Sequence, residues 1–289
     1  MRGGPSGPPP VRVLVTGANG QVGSELVSAF VGHEVIACDR FRLDLADRDS
    51  VLAAITSTSP DAIVHPAAWT AVDACEGDPD RAFAINALGT RHVAEGARIV
   101  GARVCYLSTD YVFDGTSPTP YHEWSPTAPQ SVYGHSKLAG ERELDPGHTV
   151  VRTSWVFGEH GGNIVKTILR VAAEQDTLRF VDDQRGHPTC AADLATMIVR
   201  LVVGRRPGVF HVTNQGAVSW YEFARSVMEA AGLDPDRIEP IATSDLEPPR
   251  PAHRPANSVL DNAALRLSGM ELLPDYREPL ARLVKTLLS

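Results

Sequence analysis

Residues 11–16, Val-Arg-Val-Leu-Val-Thr, form a short and nearly unbroken apolar run. That is the pattern of a strand buried on both faces, as in a parallel sheet. Similar runs recur at 34–39, 61–65, 103–107, 149–155 and 209–213. Between them the apolar residues fall at helical spacing, as in Val22, Leu26, Val27 and Phe30, or along 79–100. Four strand–helix alternations before residue 160 predict an α/β protein built on a doubly wound parallel sheet. After Phe157 the rhythm changes. Helices are expected over 164–174, from Pro188-Thr189 to 203, and over 219–231. In the last of these Ser219 stands at the N-cap and Glu222 at the capping-box position. A short strand is expected at 180–184, irregular chain at 235–255 and a terminal helix from about Pro279. The expected organisation is interleaved. Residues 11–157 and 192–214 make the doubly wound domain, of Rossmann type. Residues 158–191 and 215–289 make a smaller C-terminal substrate-binding lobe, and the Gly/Pro-rich residues 1–10 form a disordered tail.

Composition narrows the function. The chain has 289 residues, 43% of them apolar, enough for a large core. A net charge of −8 and a pI near 5.7 argue against nucleic acid as a partner. No apolar run reaches membrane-spanning length. The four cysteines (Cys38, Cys75, Cys105, Cys190) lack metal-ligand spacing and read as reduced thiols of a cytoplasmic protein; separately, a monomer or homodimer is expected.

The first predicted strand runs into Gly17-Ala18-Asn19-Gly20-Gln21-Val22-Gly23 and then a helix. In that context Gly17 permits a tight turn, Gly20 lets the backbone approach a diphosphate, and Gly23 lets helix and strand pack closely. The turn, with Asn19, Gln21 and Val22, would present helix N-terminal amides to phosphate. A plain glycine turn is the alternative. The second strand ends in Asp39, about 20 residues beyond the glycines, where a ribose-binding acid is expected. Asp39 favours NADH and the adjacent Arg40 favours NADPH, so both cofactors stay open. Asp44 and Leu45 could flank the adenine, though Asp44 could equally be a helix N-cap. Ala67 and Ala68, small residues past the third strand, would let a cofactor lie close.

Tyr133 and Lys137 are four apart at the start of a predicted helix, on one face. The chain has six tyrosines and only three lysines, which makes the pair less easily a coincidence. An ammonium beside a phenol is expected to lower its pKa and equip it to pass a proton to a carbonyl oxygen.

Three stretches, Thr-Gly-Ala-Asn-Gly-Gln-Val-Gly from Thr16, Ser-Thr-Asp-Tyr-Val-Phe-Asp-Gly from Ser108 and Tyr-Gly-His-Ser-Lys from Tyr133, resemble the extended short-chain dehydrogenase/reductases. Within them the chain is similar to the dTDP-4-dehydrorhamnose reductase family. The likeness continues through 151–157, 181–189 and 254–258. It implies hydride transfer from NADPH or NADH to a dTDP-linked 4-keto-6-deoxy sugar. It further implies that Thr109 bonds the carbonyl oxygen, Tyr133 donates the proton, and Lys137 holds the nicotinamide ribose and tunes Tyr133. Asp110 would contact the sugar, Val112, Phe113, Asn163 and Arg254 the substrate, and Trp155 its nucleotide portion. Asn86 matches a structural or relay asparagine of related enzymes. Some family members dimerise around magnesium. Glu25 fits one ligand position, but Ala191 and Ala192 stand where acids would help, and no metal site is expected. The alternatives are a reductase of another 4-keto sugar, an epimerase retaining NAD⁺, and a silent cofactor-sensing subunit. The intact Thr109, Tyr133 and Lys137 argue against the last.

Overall fold

The structure, a computed structural model, describes residues 9–289. The tail expected to be disordered therefore lies, for residues 1–8, outside the described residues. In chain order the first half comprises β1 (Arg12–Thr16), α1 (Gln21–Ala29), β2 (Glu34–Cys38), α2 (Arg48–Thr58), β3 (Ala62–His65), α3 (Val72–Gly77), α4 (Pro79–Phe83), a π-helical turn (Ala84–Leu88), α5 (Gly89–Val100), β4 (Arg103–Thr109) and α6 (Val132–Arg142). Then come β5 (Thr149–Thr153), β6 (Val156–Phe157), α7 (Ile164–Glu174), β7 (Leu178–Val181), β8 (Arg185–Gly186), β9 (Thr189–Cys190), α8 (Ala191–Val203) and β10 (Gly208–His211). The chain ends with β11 (Val218–Ser219), α9 (Trp220–Ala230), β12 (Ile238–Ile241), α10 (Ala263–Leu267) and α11 (Arg277–Leu288).

The main sheet has six strands in the order β10-β5-β4-β3-β1-β2, every pair parallel. Successive side chains of a strand point to opposite faces, and each face here has its own core. Val13, Val15, Ala62, Val64 and Cys105 turn toward α1 and α8, where Leu26, Leu194 and Ile198 meet them. Leu14, Ile63, Val104 and Tyr106 turn toward α2 and α5, against Val51, Ile55 and Val93. Burial on both faces explains why these strands read as continuous apolar runs. A third core joins α7, α9 and α11 through Ile168, Phe223, Val227, Tyr276 and Val284. Leu265 and Leu273, from the segment expected in the lobe, pack instead into the α1/α8 core beside β10.

Several boundaries differ from expectation for local reasons. The helix expected over 79–100 is broken by the π-helical turn, which seats Asn86 against Trp69. Thr189 and Cys190 pair with Val156 and Phe157, so the helix expected from Pro188 begins at Ala191. The irregular stretch at 235–255 contains β12, which pairs with β7. Chain order reverses between β1 and β3, and in such sheets ligands bind at the strands' C-terminal ends beside that point.

Candidate active site

The C-terminal ends of β1 to β5 bring the predicted residues to one edge of the sheet. At the end of β1, Gly17 turns at φ +57°, and a Cβ there would sit 3.0 Å from the Cβ of Ala67. A Cβ on Gly23 would lie 2.1 Å from the Gly17 carbonyl oxygen, a clash no side chain escapes. The turn, the first turn of α1 and the Ala67-Ala68 stretch thus form a cradle open only to something thin. Helix α1 has Gly20 as its N-cap and no side chain capping it, which leaves amides of its first turn for an anion. These residues fit a dinucleotide. Val22 is core by its side chain and can offer its backbone alone. The Gln21 side-chain amide donates to the Val156 carbonyl at 3.0 Å, and its own oxygen is buried without a partner among the described residues.

Asp39 is already engaged. One carboxylate oxygen accepts from the amides of Phe41 and Arg42 (3.0 and 3.1 Å), and the other from the Asn19 side chain at 3.3 Å. Arg40 is exposed beside it. Asp44 is exposed and accepts from the Ala46 amide at 3.1 Å; the N-cap of α2 is Asp47 instead. The Leu45 side chain lies in the α2/α5 core under Gly89, which leaves its backbone to flank an adenine.

Beyond β4 the chain tightens into a 3₁₀ turn, Asp110–Val112. The Thr109 hydroxyl donates to Asp110 at 2.9 Å and accepts from the Tyr111 amide. Asp110 is 2% exposed, and its second oxygen has no hydrogen-bond partner among the described residues. Burial pushes its carboxyl up to about 6, against the pull of the nearby Ser258 and Thr109 hydroxyls. Val112 and Phe113 follow in the chain. Both side chains are buried in a small core with Tyr121 and Leu260, Phe113 stacking on Tyr121 at 4.4 Å. Any substrate contact there would be to backbone.

Helix α6, capped by Ser131, puts Tyr133 over this turn, with the Tyr111 ring edge-on at 5.6 Å. The expected pairing of phenol and ammonium is not what the structure holds. Burial, with the Asp110 charge beside it, pushes the Tyr133 phenol well above its ordinary value, and the Thr109 hydroxyl acts against that. Lys137 is 2% exposed and donates to the Leu107 carbonyl at 2.7 Å, its ammonium 4.0 Å from the Tyr106 ring centre. Burial lowers it to about 7, with Glu141 opposing. The reason is geometric: four residues along the helix, the lysine points at the strand beneath, where a carbonyl meets it first.

The remaining predicted residues each have partners of their own. Trp155 takes φ +47° and stacks on Trp220 at 3.7 Å, with Gly186 against its ring. Asn163 is the N-cap of α7, its oxygen accepting from the Lys166 amide and its nitrogen donating to the Gly158 carbonyl. Arg254 makes a bidentate pair with Asp73 at 2.9 and 2.8 Å. Asn86 is 1% exposed and bonds both backbone groups of Trp69 and the Ser136 hydroxyl. All four cysteines are buried and free.

Residues 11–289 match the family described as RmlD substrate binding domain. The chain belongs to this family. Among its relatives, a dTDP-4-dehydrorhamnose reductase of Streptomyces griseus is 42% identical, over 94% of this chain and 92% of its own. A dTDP-4-keto-6-deoxy-D-glucose reductase of Streptomyces niveus is 40% identical, over 90% and 91%. The dTDP-4-dehydrorhamnose reductase of Bacillus anthracis, solved in complex with NADP, superposes with a TM-score of 0.91 at 38% identity, covering 96% of this chain and 99% of that one.

As a member of the RmlD substrate-binding family, the chain also carries site groups that the sequence reading passed over. Tyr111 lies within the stretch from Ser108, and its ring edge packs on Tyr133. His65 is wholly buried at the end of β3, bonded to Thr16 at 2.7 Å and Thr90 at 3.3 Å, and burial keeps it neutral at about 3. Asp73 gave no signal, because its partners lie at the far end of the chain. Glu141 could have been found: it continues the spacing of Tyr133 and Lys137 by another four residues.

Proposed function

We propose that the protein reduces dTDP-4-dehydrorhamnose to dTDP-L-rhamnose with NADPH or NADH. The observation that carries this reading is the buried set Thr109, Asp110 and Tyr133 beside the glycine cradle, on the edge where this fold binds cofactors. When bound, the cofactor supplies hydride to the 4-keto carbon. Gly17, Gly20 and the first amides of α1 would hold its diphosphate, and Lys137, released from the Leu107 carbonyl, its nicotinamide ribose. Tyr133 keeps its proton at neutral pH because its pKa is raised, and the reduction consumes one proton at the carbonyl oxygen. The Thr109 hydroxyl turns from Asp110 to that same oxygen and stabilises the charge developing there. Trp155 and Arg254 are assigned to the nucleotide and diphosphate of the substrate. We assign the enzyme to the cytoplasm, as a monomer or homodimer.

The Streptomyces niveus relative favours a second reading, reduction of dTDP-4-keto-6-deoxy-D-glucose. Turnover of both sugars with NADPH, followed by nicotinamide absorbance and by assigning the product's C4 configuration, separates the two. Failure to consume NADPH with either would sink both.

A further inference from the structure

Tyr133, Lys137 and Glu141 stand four residues apart along α6 and share one face. Each is engaged on the neighbouring strand or its exit. Tyr133 faces the turn after Thr109, Lys137 donates to the Leu107 carbonyl, and Glu141 accepts from the Ser108 hydroxyl at 2.5 Å. Arg152 of β5 then closes on Glu141 through two bonds, 2.9 and 2.7 Å, with both side chains under a tenth exposed. Three consecutive residues of β4, Leu107, Ser108 and Thr109, are thus matched to three successive turns of one helix. A buried ion pair contributes little net stability over an apolar pair of the same shape, so the fold alone does not call for this one.

We propose that Glu141 is a positioning residue for the reduction: its carboxylate fixes the end of β4, which carries Thr109, against the helix that carries Tyr133 and Lys137. The inference rests on the reductase reading for its purpose, but not for its geometry. Glu141 also supplies the negative charge that acts on Lys137. The other groups facing the ammonium are the neutral His65 from β3 and the Tyr106 ring from β4. Asp110 acts on Tyr133, and Arg152 stands behind Glu141.

The test is Glu141→Gln, read in two ways. The chain has only three lysines, Lys137, Lys166 and Lys285, so carbon-labelled lysine gives three side-chain signals in the cofactor-free protein. In the parent the Lys137 signal is expected to titrate near 7, lowered by burial. In Glu141→Gln it is expected to titrate lower by about one unit or more, the effect of losing an opposite charge at close range. Turnover is expected to fall by about 10- to 100-fold, as for a small misplacement of reacting groups. An unmoved lysine titration, or turnover within about threefold of the parent, would overturn the proposal, since either falls short of those effects. Should the variant fail to fold, Glu141→Gln/Arg152→Leu strands no charge and is judged by the same criteria. A parent that turns over no 4-keto sugar sinks the functional reading instead, and the lysine titration still decides the role of Glu141.

Discussion

Asp110 carries the clearest conflict between stability and chemistry at the scale of a residue. A buried carboxylate with an unpartnered oxygen is costly. Its pKa in the folded protein, about 6, stands above the ordinary value near 3.8. The folded state therefore binds the proton more readily than the unfolded chain. Protonation stabilises the fold fully below the unfolded pKa, and that contribution is lost as pH rises through about 6. A shift of about two units corresponds to about 3 kcal/mol. Asp110→Asn is thus expected to raise the melting temperature at pH 8, with the gain shrinking below pH 6, while turnover falls. Melting curves at the two pH values decide it, and no gain at pH 8 would show that the carboxylate is better solvated than its burial implies. Tyr133→Phe is the matching test of chemistry. Turnover should drop by about 10²–10⁴-fold with NADPH affinity kept, because only a positioned acid is removed. A variant working within about threefold of the parent would move the proton donor elsewhere, since loss of a general acid costs more than that.

Helix α6 is placed by what it lacks. A Cβ on Gly134 would stand 2.2 Å from the Tyr111 carbonyl oxygen, and one on Gly140 2.5 Å from the Asn86 carbonyl oxygen. The helix backbone therefore lies directly on the turn after β4 and on the π-helical turn. Gly134→Ala must push the helix outward and carry Tyr133 with it. We expect about 1–3 kcal/mol of lost stability from overpacking. We also expect a drop in turnover of up to about 100-fold from the displaced phenol. Urea midpoints and kcat, measured together, check it; turnover equal to the parent's would show that α6 can shift without moving the site. Neither this seating nor the π-helical turn was legible in the sequence, because a glycine in a helical pattern does not say which carbonyl it meets. Other elements were legible. The run Val13-Leu14-Val15 announces a strand with a core on each side, and Ser219 with Glu222 forms the capping box that its spacing promised. Strand β12 was hidden by Pro240, which is tolerated because its strand pairs on one side only. Helix α3 has six residues and no side-chain cap, so it left no periodic signal.

Contacts between distant parts of the chain were the least legible, and the site depends on them. The glycine turn, the β4 exit and the Tyr133 helix could be read as separate motifs, since the parallel sheet brings them together by rule. Nothing in the sequence tied Asp73 to a segment 181 residues later, where Arg254 grips it with two bonds and Arg250 approaches at 3.4 Å. Burial alone would raise the Asp73 carboxyl, but Arg254 and the Ala252 amide hold it below the usual range. Two guanidiniums share one carboxylate, which leaves a surplus positive charge. The cluster is close enough to Tyr111 for its charges to act on that phenol, and Tyr111 packs on Tyr133. A dianionic sugar nucleotide bound at Tyr133 would meet this surplus and compete with Asp73 for Arg254. Arg254→Met should then raise the KM for the sugar nucleotide by about 10- to 100-fold, the range for a lost charged hydrogen bond. The KM for NADPH should be unchanged and kcat less affected. Asp73→Asn keeps the shape but frees the guanidinium, so it should lower that KM or leave it, while loosening the strap and reducing thermal stability. The decisive comparison is the KM for each substrate in the two variants. If Arg254→Met melts earlier but binds the sugar nucleotide as the parent does, Arg254 only fastens the C-terminal segment to α3, and the diphosphate is held elsewhere.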